Sequence, residues 1–311
     1  MIKIIIKKFQ LLAVILIILN SNLYSQQKSS LCFTFDDGSS KDVAGYDYLE
    51  WNKMILDNLS NNNLQAILYV CGNGLDNIKG KKILNNWDNA GHLIANHTYS
   101  HLNYNNHAVN YKLYKADILK CDSLIKNYKN YSKLFRAPFL KNGNTIEKRD
   151  SLISYLKHIK YKNGYVTIDA SDWYFNSELI KFIKNHPHQS VEKYKLAYIS
   201  HLLNRAKYYD DLAFELFGRK VKHSILLHHN LTSALFLGDL ITAFKENGWS
   251  LINAHEALTD EIYNRDIKTM PAGESIIWSA AKESGKYDNL LRYPAEDSIY
   301  EESKLKEFGL L

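Results

Sequence analysis

Seven short, strand-like apolar runs recur along this chain, and stretches with helical spacing separate them. The runs are LCFTF (31–35), AILYV (66–70), HLIAN (92–96), LFR (134–136), YVTID (165–169), SILLH (224–228) and WSLIN (249–253). Between them, LEWNKMILDNL (49–59), YKADILKCDSLIKNY (114–128) and EKRDSLISYLKHI (147–159) repeat their apolar residues three and four apart, as a helix buried on one face does. This alternation predicts a parallel sheet wrapped by helices, either a barrel or an open α/β sheet. No Pro- or Gly-rich linker divides the chain, and 311 residues at 46% hydrophobic suffice for one large core or two modest ones.

In both architectures, ligand sites lie at the carboxyl ends of the strands. The unusual polar residues fall there. Asp36 and Asp37 follow the first run, His97 and His101 the third, Arg136 and Pro138 the fourth, and Asp172 and Trp173 the fifth, while His228 closes the sixth. Five segments thus deliver chemical groups to one rim.

In NHTYSH, His97 and His101 stand four residues apart, and on a helical turn both imidazoles would face the same way. With a carboxylate from the first strand they make an Asp/His/His set that suits Zn²⁺ with one position open. The same donors suit Fe(II) in an oxygenase, although no His-x-Asp pair or run of hairpins accompanies them. Of the adjacent aspartates, one can hold the metal while its neighbour takes a proton from the attacking water; the ordinary structural alternative is an Asp-Gly turn. Arg136 in FRAPF matches a carboxylate bidentately, and Asp172 in DASDW is placed to fix that arginine. Trp173 reads equally as core or as an aromatic wall for a sugar ring. His228 can protonate a leaving group, whereas His229 and His92 read as structural.

The ordered set TFDDG, NHTYSH, RAPF, DASDW and LLHH resembles the polysaccharide deacetylases, the NodB-homology or carbohydrate esterase family 4 enzymes, over about residues 30–260. The resemblance implies an α/β fold, a distorted (β/α) barrel of about seven parallel strands. It also implies a divalent metal, usually zinc, and removal of acetyl groups from N-acetylated or sometimes O-acetylated sugars. By position, Asp36 matches the catalytic base, Asp37, His97 and His101 the metal ligands, and Arg136 the residue that orients the base. Asp172 matches the acid tethering that arginine, Trp173 and Leu226 the walls of the acetyl pocket, His228 the general acid, and the main-chain N–H of Phe139 the oxyanion donor. Two positions depart from the family pattern: Ser39 stands where proline is usual, and His229 where aspartate is frequent. A glycan-binding pseudoenzyme is the alternative, against which the complete set of reacting residues argues. Residues 174–223 read as a helical insertion that shapes access or adds packing, and residues 261–311 as an extension packed on the barrel.

The amino terminus carries Lys3, Lys7 and Lys8 ahead of LLAVILIIL (11–19), then small polar residues to Ser25. This is the pattern of an export segment cleaved after residue 25, and the apolar run is short for a membrane span. Removing residues 1–25 takes three lysines and no acid, lowering the formal charge of +6 by three to +3. Lysines so few in excess and so dispersed argue against nucleic acid. The expected partner is an acetylated glycan, met in the periplasm or outside the cell without stable membrane insertion. Oligomeric state is not legible. Cys32, Cys71 and Cys121 follow no metal spacing and read as buried thiols.

Overall fold

The computed structural model describes residues 28–291 and 298–311; the expected export segment lies outside them. β1 (Ser30–Asp37) shows why the apolar runs form strands. Leu31, Phe33 and Phe35 point into the main apolar core. Cys32, Thr34 and Asp36 alternate to the other face, where Arg136 reaches both Thr34 and Asp36. A strand covered on both faces reads as a continuous apolar run, as strands of parallel sheets do.

β2 (Ile67–Val70), β3 (Leu93–Asn96), β4 (Tyr131–Phe135), β6 (Lys162–Asn163) and β7 (Lys222–His228) join β1 in a parallel sheet of order β6-β4-β3-β2-β1-β7. The seventh strand, β8 (Ser250–Leu251), pairs with the first residues of β1, on the edge whose last residues pair with β2. This is the expected α/β architecture, a curled sheet of parallel strands. One expected strand is absent: residues 165–169 are buried but make a single parallel bridge, Ile168 to Ile225 of β7. The pairing with β4 is made instead by Lys162 and Asn163. The segment 162–168 therefore touches both ends of the sheet and closes it irregularly.

Register aligns the rim. Asp36 stands opposite Tyr69 and His228, Val70 opposite Asn96, and Asn96 opposite Phe135, so the residues following each strand emerge side by side.

The helices Tyr48–Asn61, Tyr111–Ile125 and Ile146–His158 form where the spacing predicts. Their amino ends are satisfied by side chains: Asp47 accepts from Leu49 N, Asn110 from Leu113 N and Thr145 from Lys148 N, each such cap contributing about 1 kcal/mol. Residues 174–223 are largely helical, most of them in Asp172–Asn185 and Glu192–Phe217. The second of these buries Tyr194, Tyr198, Leu202, Ala206 and Tyr209 in the main core, so its role in this structure is packing. His201 and Arg205 on its inner face reach the carbonyls of Ala170 and Asp169 at 3.1 and 3.0 Å and so brace the loop before Asp172 from behind. Beyond residue 260, β9 (Ala272–Gly273) pairs antiparallel with β5 (Lys141–Gly143), and Ile276–Ser284 and Ile299–Glu307 add helices that contribute Ile276, Ile277, Ala281 and Leu305 to the core. Among the described residues, no helix is long and apolar enough to cross a membrane. Cys32, Cys71 and Cys121 are free and buried.

Candidate active site

The end of β1 carries two carboxylates into different surroundings. Asp36 is extended and buried, its side chain on the interior face. Asp37 turns at φ 75°, and its carboxylate enters the same cavity as that of Asp36, one oxygen of each lying within 3.7 Å of His97 Nε2. A left-handed aspartate is tolerated because short polar side chains accept that region. Here Gly38 follows, also with positive φ, and its N–H closes onto the Asp36 carbonyl at 3.1 Å. Successive strand residues point to opposite faces, so it is this turn at the end of β1 that lets both carboxylates face one cavity.

Asp37 Oδ1 lies 3.2 Å from His101 Nε2 and 3.6 Å from His97 Nε2. Tetrahedral donors at ordinary zinc distances stand about 3.4 Å apart, so the spacing fits a single divalent cation. Two further observations agree. Asp37 Oδ1 is buried and satisfied by no hydrogen bond, an uncommon state for a carboxylate oxygen. His97 Nδ1 meets the Arg136 carbonyl at 2.8 Å, so Nδ1 carries the proton and Nε2 presents its lone pair, the arrangement metal-ligating histidines use. Burial lowers the His97 pKa to about 4, against the opposing pull of Asp36, and the ring stays neutral. For Asp37, burial raises the pKa, but the close approach of His101 and the positive charge of His228 outweigh it and hold the carboxyl well below its ordinary value. The two histidines do not share a helical turn, contrary to the spacing argument. Thr98 and His101 both adopt positive φ, 63° and 55°. Asn96 Oδ1 caps this turn through Thr98 N at 2.9 Å. The imidazoles still converge, with ring centres 5.1 Å apart.

Asp36 is held by Arg136 Nη1 at 2.5 Å. The same nitrogen donates to Thr34 Oγ1, and Nε donates to the Gly164 carbonyl, both at 2.9 Å. The guanidinium lies over the Tyr69 ring, 3.8 Å from its centre, a contact suited to arginine's flat, weakly hydrated cation. The contact with Asp36 is single rather than bidentate. The expectation that Asp172 fixes Arg136 also fails: Asp172, fully buried, is engaged by His228. His228 Nδ1 stands 2.5 Å from Asp172 Oδ1, and His228 N donates to Oδ2 at 2.9 Å. Asn230 Nδ2 adds a third contact at 3.2 Å. Asp172 opens the helix Asp172–Asn185, whose amino terminus favours a carboxylate. Burial lowers the His228 pKa, but the Asp172 charge and hydrogen bond outweigh it, with Asp37 and Asp36 adding, and raise it to about 10. His228 is thus protonated at neutral pH.

The two positions that depart from the family pattern meet each other. Ser39 N donates to His229 Nδ1 at 3.0 Å, a bond that a proline at 39 could not make. His229 Nε2 continues to Asn52 Oδ1 at 2.9 Å, and its ring packs against Trp51 and Trp87. Burial, opposed by Asp37, lowers its pKa to about 3. His229 is structural, as expected, and clamps the turn that carries Asp37. His92 is structural as well, accepting from Ala66 N at 3.2 Å.

Asp36, Asp37, His97, His101 and His228 line one cavity of about 460 Å³ together with Phe139, Trp173 and Leu226. Leu226 is buried, while Trp173 and Phe139 are 38% and 51% exposed, so both rings face solvent at the mouth. Phe139 has φ 57° and stands edge-on to His101. The cavity is also lined by Asp169, the first residue of DASDW, and by Asn103, Lys141 and Glu274, which no motif reading found.

Residues 24–156 match the family model described as polysaccharide deacetylase. Over 150 residues the chain is 30% identical to a peptidoglycan-N-acetylglucosamine deacetylase of Bacillus cereus. That alignment covers 47% of each protein, so the chain spans about half the length of this curated relative. Among solved structures, the polysaccharide deacetylase Bc1974 from Bacillus cereus aligns with TM-score 0.53 and 21% identity, over 74% of this chain and 93% of that one. A CE4 family pseudoenzyme from Bacillus anthracis aligns with TM-score 0.51 and 16% identity, over 75% and 66%. At such identities these two speak for the fold. The sequence matches show that the chain is similar to polysaccharide deacetylases over residues 24–156, and the solved structures share its fold.

Proposed function

We propose that this protein is an exported, metal-dependent hydrolase that removes acetyl groups from an N-acetylated glycan of the peptidoglycan or chitin-like kind. The observation that carries the reading is the division of labour between Asp37, faced by two imidazole nitrogens, and Asp36, held by Arg136, in one cavity with His228. Asp37, His97 and His101 would hold a divalent cation, most simply Zn²⁺. Such a cation, when bound, supplies a Lewis acid toward the acetyl carbonyl and makes water a better nucleophile near neutral pH.

The remaining work falls to the chain. Arg136 orients Asp36, and Asp36 takes the proton of the attacking water. The main-chain N–H of Phe139 donates to the carbonyl oxygen as it gains charge, the usual task of an oxyanion donor. Leu226 and Trp173 enclose the acetyl methyl. His228, protonated and aimed by Asp172, gives its proton to the leaving nitrogen. That last task favours an amide over an ester, because an amine leaves only when protonated. It is supported by the name of the curated relative, a peptidoglycan-N-acetylglucosamine deacetylase.

The test is acetate release from N-acetylglucosamine oligomers and peptidoglycan against acetylxylan, at matched acetyl concentration with zinc present. Turnover of acetylxylan alone would replace the amide reading with an esterase one, and turnover of no glycan would leave a glycan-binding pseudoenzyme.

A further inference from the structure

One polar residue of the cavity, Glu274, comes from outside both the matched family segment, which ends at 156, and the motif-bearing stretch to 260. Glu274 follows β9, and its carboxylate meets Lys141 Nζ at 2.5 Å, with both side chains only 11–12% exposed. Both line the cavity that holds Asp36, Asp37 and His228. The backbone that presents Glu274 is built for one geometry. Glu274 has φ 66°, a strained region for a side-chain-bearing residue. Its N–H donates to the Leu140 carbonyl at 3.1 Å, and Ser275 Oγ binds the Thr167 carbonyl at 2.8 Å. At Gly273 (φ 140°) a Cβ would lie 1.9 Å from the Leu140 carbonyl oxygen, so the approach of β9 to β5 requires glycine there.

We infer that the Lys141–Glu274 pair is a glycan subsite that binds hydroxyl groups of a hexosamine unit and sets which oligosaccharides the enzyme accepts. The inference rests on the deacetylase reading and extends it to the substrate. An ammonium beside a carboxylate offers a donor and an acceptor together, and a sugar hydroxyl is both at once. In the same cavity, the half-exposed rings of Trp173 and Phe139 offer apolar faces to the C–H side of a pyranose, and Asn103 and Asp169 add polar groups. An acetyl group fills little of a 460 Å³ cavity; a sugar seated between an aromatic and a polar wall accounts for the remainder. Stability alone is a weak reason for such a pair, since apolar residues of similar volume serve a buried wall as well or better.

The experiment compares wild type with Glu274→Gln, which keeps shape and removes charge, using calorimetric binding of N-acetylglucosamine tetramer and steady-state kinetics. Loss of a charge-assisted hydrogen bond predicts roughly tenfold weaker tetramer binding and a KM raised by a similar factor, with kcat within about threefold. Hydrolysis of a sugar-free activated acetyl ester should be unchanged. The double variant Lys141→Met/Glu274→Leu removes both charges of the pair and, where it melts near wild type, should show the same loss of affinity. Unchanged tetramer affinity in both folded variants overturns the subsite, as does an equal kcat loss on tetramer and simple ester. A wild type that binds tetramer through Glu274 but releases no acetate keeps the subsite and refutes the deacetylase reading; one that fails to bind tetramer refutes the subsite.

Discussion

Replacing Asp172 with Asn probes the acid half of the proposed mechanism with one atom changed. Asp172 is fully buried and contacts both the ring and the main chain of His228. The His228 pKa is raised from 6.5 to about 10 against the cost of burial. At about 1.4 kcal/mol per tenfold change this is a preference of about 5 kcal/mol for the protonated ring, an order-of-magnitude figure to which Asp172 is the main favourable contributor. An adjacent opposite charge moves a pKa by about 1–3 units, so Asp172→Asn should move the alkaline limb of kcat/KM down by about 1–3 pH units on an N-acetylated oligosaccharide. The sign follows from which form is active: the protonated ring donates, so activity falls as pH rises through the folded-state pKa. Stability gives a second reading with the same sign. A folded pKa above the unfolded value contributes stability fully present below about 6.5 and lost as pH rises toward about 10. The melting temperature of wild type should therefore exceed that of the variant most clearly near pH 6 and converge with it near pH 10. An alkaline limb that stays in place in a folded Asp172→Asn protein would refute the claim that this carboxylate tunes His228.

Asp37→Ala should abolish tight zinc binding and acetate release together while the far-ultraviolet circular dichroism stays native; calorimetric zinc titration checks it, and full activity in the variant would count against the ligand set. His228→Ala should cost amides roughly 10²–10⁴-fold and activated acetyl esters much less, because their leaving groups need no proton; equal losses would mean that His228 only packs. Mass spectrometry of protein recovered from the producing cell should show a chain beginning near residue 26, whereas an intact Met1 in a membrane fraction would mean an anchor.

The motifs were readable where chemistry depends on which residue follows a strand, and unreadable where it depends on how the backbone turns. β1, β2, β3 and β7 announce themselves because both of their faces are covered, which leaves uninterrupted apolar runs such as LCFTF. The run at 165–169 is as apolar and as buried, yet it makes one bridge, since burial alone does not decide pairing. The two-residue β6, Lys162–Asn163, carries no hydrophobic signal at all. The i, i+4 spacing of His97 and His101 suggested a helix; the left-handed residues at 98 and 101 bring the rings together by another route. Two cations, Arg136 and His228, competed for Asp172, and spacing could not say which won. Glu274 lay beyond any reading, because only the pairing of β9 with β5 brings it back to the rim.

The most direct test of the account is acetate released from N-acetylglucosamine oligomers by one preparation followed through three states: zinc-loaded, exhaustively chelated, and reloaded. The structure places three donors around one point, with Asp36 and His228 in the same cavity. Release should therefore be present in the first state, lost in the second and restored in the third. Full release after chelation, or none from the loaded protein on any acetylated glycan, would contradict it.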